Sequence, residues 1–204
     1  MRIRVNGRWL AVLAGALAVL ASPAQAQFSK SYKFLEAIRD KDGQAVTDLL
    51  AEPGTQIVNT RDGSTGDSAL HLVTARRDAT WMSFLIGKGA DVNQRNNRGE
   101  TALVVASNMA FVEGVQLLVD HGARVDEPNN TGETPLISAV HRRDIAMMRI
   151  LLKAGANPDR ADSSGRSARD YAAFDGKNSP LLDVIAAEAR AQNGRRQSGY
   201  GPKP

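Results

Sequence analysis

The chain has 204 residues, with 26 Lys and Arg against 22 Asp and Glu, and no cysteine. That excludes disulfides, thiolate metal sites and a lipid-modified N-terminal cysteine, and it suits an export compartment where unpaired thiols are at risk. The positive balance sits at the two ends: without Arg2, Arg4 and Arg8 at one terminus and Arg195, Arg196 and Lys203 at the other, residues 27–194 hold 20 basic and 22 acidic groups. The charge is therefore no argument for nucleic-acid binding by the folded part.

In chain order, the three N-terminal arginines precede an uncharged run from Trp9 to Ala21, then Pro23 and the small-residue site Ala24-Gln25-Ala26. This predicts a secretory signal peptide over residues 1–26, cleaved between Ala26 and Gln27. An uncleaved anchor is the alternative; the run is shorter than the roughly 20 apolar residues that span a bilayer, and Pro23 and Gln25 interrupt it.

From Ser29 to Glu52 the pattern is helical in two pieces, Phe34, Leu35, Ala37 and Ile38, then Val46, Leu49 and Leu50, separated by Asp40-Lys41-Asp42-Gly43. Beyond it the chain becomes periodic. Gly66, Gly99, Gly132 and Gly165 lie 33 residues apart, and Gly89-Ala90, Gly122-Ala123 and Gly155-Ala156 keep that period at an offset of 23. Two glycine registers locked to one period indicate stacked repeats. After each glycine of the first register comes a capping hydroxyl, Ser68, Thr101, Thr134 or Ser167, and a short helix; Pro135 fits the first helical turn. A second helix follows, carrying Trp81, Met82, Phe84 and Leu85, then Val112, Val115, Leu117 and Leu118, then Ile145, Met148, Ile150, Leu151 and Leu152, ended by the second-register glycine. Trp81 and the pair Met147-Met148 read as core at this spacing, in preference to a ligand box. The segment Ile57-Val58-Asn59 matches Asp91-Val92-Asn93 except for one extra residue on each side of Val58, which predicts an irregular first hairpin.

The last unit departs from the others. Arg169 and Asp170 replace the apolar residue and the motif histidine, and the helix through Leu181, Leu182, Val184 and Ile185 has no glycine closure, as a C-terminal cap would show. Residues 192–204, rich in Gly, Pro, Ser and Arg, are expected to be a disordered tail.

The repeated stretches Ser68-Ala69-Leu70-His71, Thr101-Ala102-Leu103-Val104, Thr134-Pro135-Leu136-Ile137 and Ser167-Ala168-Arg169-Asp170, with their glycine registers, resemble the ankyrin repeat over roughly residues 29–190. The resemblance implies an all-α repeat solenoid of about five stacked ankyrin repeats, each a helix-turn-helix plus a β-hairpin, the first and last acting as caps within a domain of residues 27–191. It also implies that His71 hydrogen-bonds between neighbouring turns.

No motif with a mechanism is present. His71, His121 and His141 stand at unequal positions in their units, so they make no metal site, and catalytic, cofactor and metal residues are all expected to be none. Asn93, Asp126 and Asp159, with Asn96, Asn129 and Asp162, read as turn stabilisers; the bidentate glutamate of a calcium loop is missing. What remains is a surface. Ankyrin proteins characteristically hold other proteins on the concave face made by hairpin tips and first helices. Placed by register, that face takes Asp67, Arg76, Asn97, Arg98, Glu100, Asn108, Met109, Asn130, Glu133, His141, Arg142, Arg166, Phe174 and Asp175. Met109 and Phe174 beside arginines are the residue types that dominate interface energies.

The reading is a monomeric, non-enzymatic scaffold or adaptor in the periplasm, holding one protein partner, with no nucleic acid and, after cleavage, no membrane attachment. A stress-protective or inhibitor-type protein that masks a periplasmic partner, as in peroxide defence, is the alternative; an enzyme with a site near His141 is a third reading.

Overall fold

The computed structural model describes residues 23–52, 57–176 and 179–198, with side chains placed over 30–52, 57–176 and 179–191. Ten helices follow one another: α1 (Pro23–Asp40), α2 (Gly43–Ala51), α3 (Ala69–Ala75), α4 (Ala79–Gly87), α5 (Ala102–Asn108), α6 (Val112–Asp120), α7 (Pro135–His141), α8 (Ile145–Lys153), α9 (Ala168–Ala173) and α10 (Pro180–Ser198). The odd-numbered helices pack side by side in an inner layer, α1 on α3 and onward to α9; in the outer layer α4 packs on α6, α6 on α8 and α8 on α10. This is the expected helical solenoid. Residues 1–22, which hold most of the expected signal segment, lie outside the described residues, as do 199–204. The last helix continues to Ser198, past the tail boundary expected at Gln192.

Local chemistry sets each helix's limits. Inner helices α3, α5, α7 and α9 start after an extended Ser or Thr, and the hydroxyls of Thr101 and Thr134 accept from the N–H of Val104 and Ile137, each at 3.3 Å. Three outer helices start on an aspartate: Asp42, Asp78 and Asp144 accept from Ala45, Trp81 and Met147 at 2.9, 3.1 and 3.0 Å. Each of these contacts satisfies one of the N–H groups a helix start leaves free. Between inner and outer helix the chain turns through a left-handed residue, Lys41, Arg77, Ala110, Arg143 or Gly176. After the first four of these the next amide closes on a carbonyl five residues back, as in Phe111 N–H to Ala106 and Asp144 N–H to Ala139, both 2.9 Å.

The two layers bury one continuous apolar core. Its fully buried large side chains include Phe34, Ile38, Leu70, Met82, Leu103, Leu136, Met147, Met148 and Leu151, so the methionine pair is core as expected. Trp81 and Phe84, read as core from their spacing, are only half buried, and Ile145 is exposed; the outer helix shows that flank to solvent.

The hairpins are fingers without ladders. Among the described residues they contain single antiparallel bridges, Arg61 to Ser68 and Ala161 to Ser167. An Asn or Asp side chain does the work of a strand: Asn96 Oδ1 accepts from the N–H of Arg98 and Glu100, Asn129 Oδ1 from Thr131 and Glu133, and Asp162 Oδ1 from Ser164 and Arg166. The turn-stabilising reading of these residues therefore holds, by the local amide chemistry expected of Asx turns. The irregular first finger places one extra residue at its tip, where Gly66 N–H reaches back to Asp62 and in the next finger Gly99 N–H reaches Asn96. Successive fingers are stitched to one another by backbone: Asn97 N–H to Thr65, Asn130 N–H to Arg98 and Ser163 N–H to Thr131, at 3.0–3.1 Å.

Finger glycines have positive φ, but the space around them differs. A Cβ on Gly132 would sit 2.6 Å from the backbone N of Ser163 in the next finger, whereas one on Gly165 would meet nothing within 4 Å. Their φ values, +79° and +80°, carry the same strain for alanine, about 1–2 kcal/mol. Gly132→Ala should therefore destabilise the protein more than Gly165→Ala, by a further 1–3 kcal/mol or so for overpacking, read as the difference in urea-unfolding free energies. Equal losses would show that the fingers do not constrain one another.

Candidate protein-binding face

The inner helices and fingers form a groove whose register is simple. In the last two repeats the residue after the finger glycine stands near the residue eight positions on, at the end of the inner helix. Glu133 meets His141 in this way, Oε1 to Nδ1 at 3.4 Å, and one repeat later the Arg166 guanidinium lies over the Phe174 ring at 5.6 Å from its centre. Tyr171 joins the two repeats: its ring is edge-on to His141 at 4.3 Å and to Phe174 at 5.8 Å. Its hydroxyl donates to Asp162 Oδ2 at 2.7 Å. Asp162 is held well below the usual carboxylate range, first by the Ser164 hydroxyl and then by that of Tyr171. Phe174 remains 69% exposed. The repeat register carries no signal for Tyr171, because the equivalent Leu72, Val105 and Ser138 are buried or half buried.

The remaining sequence-predicted residues divide into two groups. Arg98 is exposed on its fingertip and pairs with Glu100 at 2.7 Å; Met109 is 42% exposed at the end of α5. These two share the open side with His141, Arg142, Arg166 and Phe174. The others are spent on the stack. Asp67 accepts from Asn96 Nδ2 (2.8 Å), Asn97 Nδ2 donates to the Ser64 carbonyl (2.9 Å), Asn130 Nδ2 donates to the Asn97 carbonyl (3.3 Å), and Asn108 Oδ1 accepts from the Ser138 hydroxyl (2.7 Å). Asp175 pairs with Arg143 across the turn at 2.8 Å.

Arg76 and Arg142 need a correction in the same sense. Each reaches back to a carbonyl near the end of the preceding inner helix, Arg76 to Ile38 and Arg142 to Asn108. Those carbonyls belong to the set a helix end leaves without intrahelical partners. Arg76 also pairs with Asp78 and covers the Trp81 ring, and it is half buried. Both arginines are staples between repeats; Arg76 leaves the open face, and Arg142 keeps only part of its exposed side chain for a partner.

His71 behaves as the resemblance implied. Its Nδ1 accepts from the Ser68 N–H (3.2 Å), which assigns the proton to Nε2, and Nε2 donates to the Glu100 carbonyl of the next finger (2.9 Å). Burial lowers its pKa below the ordinary imidazole value.

The outer surface offers a different kind of space, a cleft of ≈ 200 Å³ lined by Gly43, Thr47, Thr80, Trp81 and Phe84, where α2 stands off from α4. Among the described residues no three His, Asp or Glu side chains come together as a metal-holding group, and no helix is long and apolar enough to cross a membrane.

A stack of short helix pairs with stitched fingers, presenting a polar groove studded with a few exposed apolar side chains, defines a repeat protein of the kind that recognises other proteins. A family model of ankyrin repeats (3 copies) matches residues 34–129, and a second, of ankyrin repeats (many copies), matches residues 118–172. The chain belongs to the ankyrin repeat family, whose repeats serve as protein-interaction scaffolds. No curated protein matches it in a sequence comparison.

Two outcomes follow from these contacts. Because the unfolded chain takes up a proton at His71 near pH 6.5 and the folded chain resists it, stability should fall as pH drops below that value. Urea midpoints at about pH 7.5 and 5.5 should differ in the native protein and converge in His71→Gln. Asp62 and Asp162, both held far below the carboxylate range, keep their contributions until pH falls through about 4, so they do not confound that window. Arg142→Ala should cost about 0.5–1.5 kcal/mol through the lost bond to Asn108, while Arg98→Ala should stay within about 0.5 kcal/mol; the reverse order in thermal unfolding would refute the staple.

Proposed function

We propose that the protein is a scaffold or adaptor of the periplasm, exported by cleavage after Ala26, which holds one protein partner on the groove between fingers and inner helices and performs no chemistry of its own. The observation that carries this reading is the row His141, Tyr171, Phe174. It links the last two repeats by ring contacts and leaves the Phe174 ring 69% exposed; two repeats earlier Met109 is 42% exposed. A large apolar side chain kept in water on a pre-ordered polar surface is what an interface anchor looks like before its partner arrives. The export part of the reading is supported by the basic start, apolar run and small-residue site of residues 1–26, and by the lack of cysteine.

The test is capture. The tagged protein, recovered from the periplasmic fraction with Gln27 as its first residue, should retain a discrete partner from periplasmic extract. Met109→Ser with Phe174→Ser should lose that partner at an unchanged melting temperature. Ile145→Ser, on the outer surface, should keep it. Capture insensitive to the groove pair, or abolished by the outer substitution, overturns the face; recovery of the protein only in the cytoplasm, with Met1 in place, overturns the location.

A further inference from the structure

The chemistry of the groove changes sign along its length. The residue after the finger glycine is Asp67, Glu100 and Glu133 in three successive repeats, then Arg166 in the last. The three acids are answered within the protein, Asp67 by Asn96, Glu100 by Arg98 and Asn96, and Glu133 by His141. Among the described residues Arg166 takes part in no ion pair. Its neighbours Asp162 and Asp170 are held by hydroxyl and N–H donors of their own turns, from Ser164, Tyr171 and Ser167. Arg166 instead sets its guanidinium over the Phe174 ring, 5.6 Å from the ring centre. The in-plane N–H donors, which suit a two-pronged carboxylate, stay available. The ring below is fixed from the other side by Tyr171, so little side-chain freedom is left to lose on binding.

We propose that this end of the groove, at the fourth and fifth repeats, takes a segment of a protein partner that sets an aromatic or aliphatic side chain against Phe174 and a nearby Asp or Glu carboxylate on Arg166. The proposal rests on the binding-face reading above and adds the partner's chemistry to it. The apolar residue covers the exposed ring and removes it from water, and the carboxylate completes the one cation of the row that has no acid of its own. Neither element suffices alone: an exposed surface ion pair is weak, and an uncharged apolar segment would leave the covered guanidinium short of acceptors.

The experiment uses the whole protein and two fluorescein-labelled synthetic peptides of equal length, one alternating Glu with Phe and Leu, the other carrying Lys in place of every Glu. Fluorescence anisotropy should show binding of the Glu peptide, weakened by salt, and at least about a tenfold loss of affinity in Phe174→Ala and in Arg166→Glu. The Lys peptide should not bind. Both side chains are exposed, so the variants should melt with the native protein. The proposal is overturned if the intact protein fails to bind the Glu peptide, if the two peptides bind alike, if either variant binds the Glu peptide as tightly as the native chain, or if a single-stranded oligonucleotide binds more tightly than the Glu peptide. Partner capture that persists in Arg166→Glu would leave the face reading standing and remove only this inference.

Discussion

Helices of six to nine residues are too short to persist alone in water, where roughly 12–15 residues are needed even for good helix formers. The pairs α3–α4, α5–α6 and α7–α8 can therefore not be stable as separate units; each must bury its faces against the next pair, and the register of that contact has to be held closely. Here the register is held at the fingers. A backbone N–H of one finger bonds a carbonyl of the one before, and the glycine at each interior finger lets the next finger's backbone or amide side chain come closer than any Cβ would allow. A second set of amides keeps the bases of the fingers in step: Asn59 bridges to Gly89 and Asp91, and Asn93 bridges to Gly122 and Arg124.

An array built this way has unsatisfied ends, and the end repeats show how each is closed. Asp126 accepts from Asn157 in the following repeat, whereas among the described residues the equivalent Asp159 is met from within its own repeat. Arg169, standing where the other repeats have Leu70, Leu103 and Leu136, turns to meet Asp159 with two N–H donors at 2.6 and 3.2 Å. A leucine there would face water; an arginine answers the orphaned acid. The pairing holds the Asp159 carboxyl below its usual range. Asp170, in the histidine place, has no further finger carbonyl to reach and instead closes a capping box with Ser167. At the other end Lys30 of the first inner helix pairs with Glu52 at the close of the first outer helix.

The parts of this structure that were legible in the sequence are those where one residue type alone can do the job. Gly66, Gly99 and Gly132 announce themselves because a left-handed turn under a neighbouring backbone admits nothing else. The equally periodic left-handed turn at Arg77, Ala110 and Arg143 was silent, since it lies open to solvent and tolerates side chains at a modest strain. Position in the repeat also located the groove but not its vacancies. It could place Arg76 and Arg142 near the open side; it could not show that their guanidinium groups are drawn to carbonyls of the preceding helix. Trp81 and Phe84 failed for a related reason: periodicity says which flank of a helix is apolar, and the gap between α2 and α4, which uncovers that flank, is set by how far two repeats splay.

This division between spent and free side chains bears on how such a face can acquire specificity. Most polar groups of the fingers and inner turns are conscripted by the stack: Asn96, Asn97, Asn130, Asp67 and Asn108 hold neighbouring repeats together and Asn129 shapes its own finger, so changing them to suit a partner would cost the register on which the fold depends. Only positions whose repeat-to-repeat contacts are already complete, or whose next repeat is missing, are at liberty to differ. The final finger is such a place. Gly165 faces open space, Arg166 makes no ion pair among the described residues and lends only its more distant charge to Asp170, and the Phe174 ring stays exposed. The side chains of this finger carry less of the stack than those of the interior, so the proposed recognition chemistry sits where it can vary at least cost, and the interior repeats supply the rigid platform on which it is held.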